Sequence, residues 1–511
     1  MTKKCGLGLL LLALPWTASA HDAQLIIANS AKAMGVQNLD AVGSYMYSGS
    51  GAIFAFGEAR KPSPPWPKSG LSSYRRVIDF DAGGSLELIA RTQDRNGSIE
   101  AKDHTEIRRL LFREHYGVEG KQYQIWISPL AFLKGAVKAD ATVRPVTIAG
   151  KQYIAVSYAY ADNPAKYRVT GYINDQNLLE RVEALVSDPL FGDMVVEGVY
   201  TDYKDFQHGL VFPSQIVEKQ GGYPVLELAI TGAVRNALTI AATPVIEPQV
   251  VQYNGDGPLK FREPYLGGPP PISVDEALYG DSVYYLRFRV EGDGKIEDYH
   301  SVVAEFNDYL VVIEAPLDEE HSIAAIKEIR TVFGSKPIRY VVNTHAHRDA
   351  SGGLRTYAAQ GAIIITQELN KPYFEKLFTL PRTVHPDQLA QTKKKVQIEG
   401  VAEKRVLTDG SHVIELYRVD NESSEGMLMA YMPREKMVIE ADLYTVPAPD
   451  LVIDALGRPN PPPKAPVTRY AAAFANTLDR MKLDYRKILG LVGRATTKEE
   501  LLEDVKKPAP K

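Results

Sequence analysis

Cysteine is nearly absent. The chain of 511 residues has one, Cys5, inside a stretch that reads as a secretory leader. Lys3 and Lys4 give a basic start, Gly6 to Leu14 an apolar core, and Ala18-Ser19-Ala20 a small-x-small cleavage site. Removal of residues 1–20 leaves no disulfide, no thiol nucleophile and no thiolate ligand. Any metal site must then be built from imidazoles and carboxylates. Long apolar runs are missing too. The leader core is too short to cross a bilayer, and no later segment reaches the ~18 apolar residues a span needs. The expectation is a soluble periplasmic or secreted protein with no transmembrane segment. Basic blocks are scarce. Without Lys3 and Lys4 the 59 basic residues become 57 against 63 acidic ones, a formal charge of −6. The one lysine run, Lys393-Lys394-Lys395, reads as a solvated edge, so no nucleic-acid partner is expected. Cleavage would expose His21, whose amine and imidazole can chelate copper, although a frayed terminus is the plainer reading.

About 490 remaining residues imply more than one domain. Residues 21–255 read as a β-rich N-terminal domain. Ala23 to Met34 has helical spacing. Val195 to Tyr203, Leu210 to Val217 and Tyr223 to Thr231 are rich in strand formers, with Gly221-Gly222 as a turn, which favours antiparallel pairing. Pro64-Pro65-Trp66-Pro67 reads as a groove lining or an ordered loop. Prolines and glycines mark residues 256–278 as a linker. From 279 to 505 strands alternate with helices: Ser282 to Val290, Tyr309 to Ile313, a helix from Glu319 to Phe333 with Ile323, Ile326, Ile329 and Phe333 on one stripe, then Ile338 to Val342. Helices at Gly353 to Ala359 and Glu368 to Phe378 flank a strand at Ala362 to Thr366. Strands at Lys404 to Leu407, His412 to Val419, Gly426 to Tyr431 and Lys436 to Ile439 follow. A helix at Val467 to Met481, a strand at Ile488 to Val492 and a helix from Lys498 close the unit, and 506–511 is a tail. The prolines from Pro447 to Pro466 forbid helix and central strand there and predict a long loop. The fold class expected is α/β, a layered sandwich behind a β-rich domain.

The strand Ile338 to Val342 runs into Asn343-Thr344-His345-Ala346-His347-Arg348-Asp349-Ala350-Ser351-Gly352-Gly353. Two imidazoles and a carboxylate at alternate positions after a strand are a metal-ligand arrangement. With 10 His in the chain, such a match arises by chance roughly once in a hundred sequences. His385 and His412 read as structural. No Gly-x-Ser-x-Gly elbow surrounds Ser423-Ser424.

A strand ending in His-x-His-x-Asp within an αββα order resembles the metallo-β-lactamase superfamily over about residues 280 to 505. The short region from about 195 to 231 also resembles the half-barrel of periplasmic lipoprotein carriers, which implies a lipid-like or other apolar ligand. The first resemblance implies two zinc ions on seven ligands. His345, His347 and Asp349 match the first three positions, and Asp442 matches the bridging Asp. The other three are lost: Ala350, Val492 and, as nearest counterpart, Ser423 stand where imidazoles belong. The first zinc site would keep His345, His347 and Asp442. The second would keep two carboxylates, which hold zinc poorly. What remains can bind one zinc, or iron(II) as a facial triad, or nothing. Glu422 or Glu425 could add an oxygen, and Asp349 could serve as base. Three functions stay open: a metal-dependent hydrolase with one metal, a non-catalytic descendant that binds a small molecule or a partner, and a carrier led by the N-terminal half. Substrate and oligomeric state are not legible.

Overall fold

The computed structural model describes residues 20–81, 84–91, 104–111, 123–160, 167–206, 209–236, 272–275, 283–292, 295–446 and 469–506. Residues 1–19 of the expected leader, most of the expected linker and the proline-rich stretch 447–466 lie outside the described residues.

Alternating strand formers in the first half pair into one eleven-stranded antiparallel sheet. Strand Ser44–Phe54 is fourth of its eleven strands, between Lys68–Asp79 and Tyr223–Arg235. Its inner face carries large aromatics, among them Tyr45, Tyr47, Tyr74, Tyr200 and Phe212, all almost fully buried. Helices Ala20–Ala33 and Pro129–Lys138 fill the concave side, with Ile27, Phe132 and Leu133 inaccessible. Trp66 is buried as well, edge-on to Phe56 at 5.3 Å and to Phe191 at 6.0 Å. The proline-flanked Trp therefore belongs to a packed aromatic cluster and lines no open groove.

The second half is an α/β sandwich of two facing sheets. The seven-stranded sheet runs from Ile272–Asp275 at one edge to Ile398–Val401 at the other, and the six-stranded sheet from Lys404–Thr408 to Thr496–Thr497. Period-two alternation sorts each strand between two cores. Val311, Ile313, Val342 and Ile365 face Ile414, Leu416, Leu428 and Ile439 across the sheets. Leu310, Val312, Val341 and Ile364 point the other way, onto Ala325, Ile329, Leu354 and Tyr357 of the outer helices. Behind the second sheet, Met427, Met429, Val438 and Ile488 pack on Ala471, Phe474 and Leu478 of helix Arg469–Met481. Burial on both faces explains why these strands read as unbroken apolar runs.

Several sequence expectations shift. Ile272–Asp275, expected in the linker, is a strand paired with Val283–Gly292. The strand Lys295–Glu305 was not foreseen, because Glu297, Asp298, His300 and Ser301 break its apolar pattern. In helix Glu319–Phe333 the buried stripe is Ser322, Ala325, Ile326 and Ile329, whereas Ile323 is exposed. Ile326, Ile329 and Phe333 of the expected stripe do meet the core; the small residues Ser322 and Ala325, selected by close packing, take the place expected for Ile323. Strand Lys487–Gly490 ends before Val492, which instead bridges to Tyr299. No helix among the described residues is long and apolar enough to cross a membrane.

Candidate metal centre

Strands Leu310–Ile313, Ile338–Val342 and Ile363–Gln367 are parallel neighbours, joined through helices. The carboxyl end of a parallel strand is where such sheets open a crevice, and His345 and His347 leave Ile338–Val342 there. The turn that follows is clamped by its glycines. A Cβ on Gly352 would fall 1.8 Å from Leu317 O, and one on Gly353 1.9 Å from Ser322 Oγ. Leu317 N donates to Asp349 O at 2.7 Å. The Gly-Gly pair thus has a packing reason.

Asn343 and Thr344 are buried beneath the imidazoles and tie them to Glu314. Asn343 Nδ2 donates to Glu314 Oε1 at 3.3 Å and to Ser351 Oγ at 3.1 Å. The Thr344 hydroxyl bonds Glu314 Oε2, and Thr344 Oγ1 lies 2.9 Å from His345 Nδ1. When His345 Nδ1–H donates to that hydroxyl, the Nε2 lone pair is left facing Asp442. Backing a ligand imidazole in this way sets its tautomer and raises its basicity. Burial pushes the Glu314 carboxyl up to about 8, against the bonds from Thr344 that lower it.

Asp442 arrives from the end of strand Met437–Glu440 in the opposite sheet. Its φ of +61° is left-handed, a conformation that Asp tolerates better than most residues. Glu440 holds that turn: its Oε2 accepts from Leu443 N at 2.9 Å and from Tyr444 N at 3.3 Å. Asp442 Oδ2 lies 3.1 Å from His345 Nε2 and 3.5 Å from His347 Nδ1. Burial raises the Asp442 carboxyl, but the two histidines outweigh it and hold it well below the usual carboxylate range. Burial likewise disfavours charge on His347, yet Asp442, Glu58 and Asp349 together raise its pKa to about 9.

Asp349 offers an oxygen to the same two histidines. One donor atom each from His345, His347 and Asp349 lies within 4.8 Å of the others. Asp349 Oδ2 accepts from Tyr299 Oη at 3.5 Å, while Oδ1 is buried without a hydrogen-bond partner. His347 Nε2 is also buried and unpartnered. Orphaned polar atoms in a buried site cost about 1–3 kcal/mol each unless something meets them. Donors held at 2.0–2.2 Å around one tetrahedral centre stand ~3.3 Å apart, close to the 3.1 and 3.5 Å from Asp442 to the histidines. The residues present therefore fit a divalent cation.

No family model and no curated protein matches the chain. Several solved structures are partly similar. A metallo-beta-lactamase from Pontibacter korlensis is 16% identical over 46% of this chain and 97% of its own, with a TM-score of 0.35. A variant flavo di-iron protein from Thermotoga maritima is 15% identical over 47% of this chain and 61% of its own, with a TM-score of 0.36. The metallo-beta-lactamase FIM-1 from Pseudomonas aeruginosa, in a mono-zinc form, is 16% identical over 46% and 94%, with a TM-score of 0.33. At these scores the likeness decides nothing about chemistry.

Two of the three positions where the resemblance expects imidazoles lie together. Ala350 and Val492 line a cavity of about 10 Å³ with Tyr299, Glu314, His345, Asp349 and Asp442. That space is about one water molecule, and Ala350 and Val492 offer it no ligand. Ser423 is held in a turn instead, its backbone N donating to Asn421 Oδ1 at 2.7 Å. Glu425 is turned away: its oxygens lie 3.7 Å from Arg60 Nη1 and 3.9 Å from Lys61 Nζ. His385 is exposed, and His412 packs edge-on to Phe306 at 6.1 Å.

Sequence reasoning missed Glu314, Glu440 and Glu58. Glu314 and Glu440 each close a strand of continuous apolar residues, so a buried acid at a strand's carboxyl end was an available signal. Glu58 carried none. It sits some 290 positions from His347 in the first half, yet its Oε2 lies 3.7 Å from His347 Nδ1.

Proposed function

We propose that this chain is an exported, metal-dependent hydrolase of the metallo-β-lactamase type with a single functional metal. The observation that carries the reading is the convergence of His345 Nε2, His347 Nδ1 and Asp442 Oδ2 at 3.1 and 3.5 Å, beside buried unpartnered atoms. His345, His347 and Asp442 would hold the ion, and nitrogen-rich ligation favours zinc. A divalent metal supplies Lewis acidity and makes water a nucleophile near neutral pH. Asp349 then has a defined task. Its Oδ1 is free of protein partners and can take a proton, while Tyr299 holds the other oxygen. Thr344 and Glu314 keep the His345 ring oriented throughout.

A second reading has an observation of its own. Ala350 and Val492 put apolar side chains beside Asp349, which suits a descendant that keeps the fold without the chemistry. Metal analysis separates the two. The purified mature chain is expected to take up one equivalent of zinc, and His345→Ala to lose it, with hydrolysis of an ester or phosphoester panel lost in parallel. Zinc uptake without any turnover favours the second reading, and no zinc above background sinks the first.

A further inference from the structure

We infer that the N-terminal half completes this metal centre: Glu58 supplies the carboxylate that closes the donor set of His345, His347 and Asp442. The inference rests on the metal reading above. In the superfamily pattern a third imidazole serves the first metal, and here that imidazole is missing. Glu58 brings an acid to the vacated side from outside the sandwich. Its Oε2 lies 3.7 Å from His347 Nδ1, the same nitrogen that Asp442 Oδ2 approaches at 3.5 Å. Both contacts lie near the ~3.3 Å expected between two ligands of one tetrahedral ion. The side chains are largely enclosed, Glu58 at 12% exposure and His347 at 6%.

The segment that delivers Glu58 is built to do so. Arg348 N donates to Gly57 O at 3.2 Å, and Glu425 N donates to Arg60 O at 2.9 Å. The loop is thus pinned on both sides of Glu58 to the two segments that frame the site. Gly57 has φ +82°, and a Cβ there would come within 2.8 Å of Arg348 Cβ. Only glycine lets the backbone lie that close. Phe56 anchors the loop from behind, 4.7 Å from Phe191 and 5.3 Å from Trp66. Arg60 and Lys61 of the same loop lie 3.7 and 3.9 Å from the Glu425 carboxylate.

The test uses the full mature chain, with zinc affinity measured by chelator competition and the cobalt(II)-loaded protein read by visible absorption. Wild type, Glu58→Gln, Glu58→Ala, Gly57→Ala and His345→Ala are compared, with metal-free melting as a folding control. Glu58→Gln and Glu58→Ala are expected to weaken zinc by about 10–100-fold, at least the loss seen when a ligand's supporting residue is removed, and to change the cobalt spectrum. Gly57→Ala, which keeps the acid but lifts the loop, is expected to weaken zinc in the same direction. Unchanged affinity in Glu58→Gln while His345→Ala loses metal overturns this inference alone. So does weaker binding with an unchanged cobalt spectrum, which would make Glu58 a charge partner of His347 only. No zinc bound by wild type overturns the metal reading and this inference together. Should Glu58→Ala fail to fold, the near-isosteric Glu58→Gln decides.

Discussion

His300 shows how one buried group writes a pH dependence into the fold. Its ring stacks on Tyr285 at 4.1 Å and an interplanar angle of 9°, with 2% of the residue exposed. Burial, with Arg287 adding to it, drives its pKa down to about 3. In the unfolded chain it titrates near 6.5. A depressed histidine favours the folded state above pH 6.5, and that advantage is lost as the pH falls, because only the unfolded chain takes up the proton. Between pH 7.5 and pH 5 this one group should remove about 2 kcal/mol of stability. His300→Phe keeps the stack and removes the titration. Urea unfolding at the two pH values is expected to show a smaller acid loss in the variant by about that amount; equal losses would contradict the assignment.

At the scale of the element, the segment Leu380–Gln388 is held by a buried charge cluster. Asp387 accepts from Arg355 through both oxygens, with Nη2 at 2.9 Å, and lies 3.3 Å from Arg382 Nε. It also caps helix Gln388–Thr392 by accepting from Ala390 N at 2.8 Å. Asp387→Ala would leave two enclosed guanidiniums short of their acid and strip the cap. Breaking a buried pair in this way costs about 3–5 kcal/mol, and loss of the cap adds about 1 kcal/mol. Chemical denaturation should show a drop of this size, and a change under 1 kcal/mol would mean that water replaces the carboxylate.

At the scale of the molecule, the two halves are latched beside the metal centre. Asp188, 3% exposed, receives Arg348 Nε at 2.9 Å and Nη2 at 2.8 Å, while its other oxygen accepts from Leu190 N and Phe191 N at 2.9 and 2.8 Å. Arg382 donates to Asp188 O and Leu190 O at 2.9 and 3.0 Å, and Asp193 receives Thr383 and Val384. Arg348 stands between His347 and Asp349, so the latch and the site share one turn. Asp188→Ala leaves Arg348, 42% exposed along its side chain, open to water, so it is expected to weaken this seam by about 1–2 kcal/mol and to separate one melting transition into two, read by calorimetry. A single transition at the wild-type temperature would show that the halves hold without it.

Much of the C-terminal sandwich was legible from residues alone. Continuous apolar strands, amphipathic helices and their alternation demand two sheets with helices outside, since each apolar face must be covered. His345, His347 and Asp349 were legible because their spacing is local and follows a strand end. Asp442 could be matched only through the resemblance, and the structure places it between the two histidines. What periodicity could not supply is everything that depends on contacts distant in sequence. Ser322 and Ala325 on a buried helix face are invisible to a count of aliphatics, since packing density sets residue size there. Val492 reaches the site through a bridge to Tyr299, not as the end of a strand. Glu58 is the clearest case. Nothing around Phe56-Gly57-Glu58 marks a ligand, and its approach to His347 exists only because the latch at Asp188 and Arg348 docks one half on the other. By itself the sequence determined the sandwich and three donors on one turn, through local periodicity and spacing. The tertiary structure decided which carboxylates meet them, because a donor set closes in space and its members need share no neighbourhood along the chain.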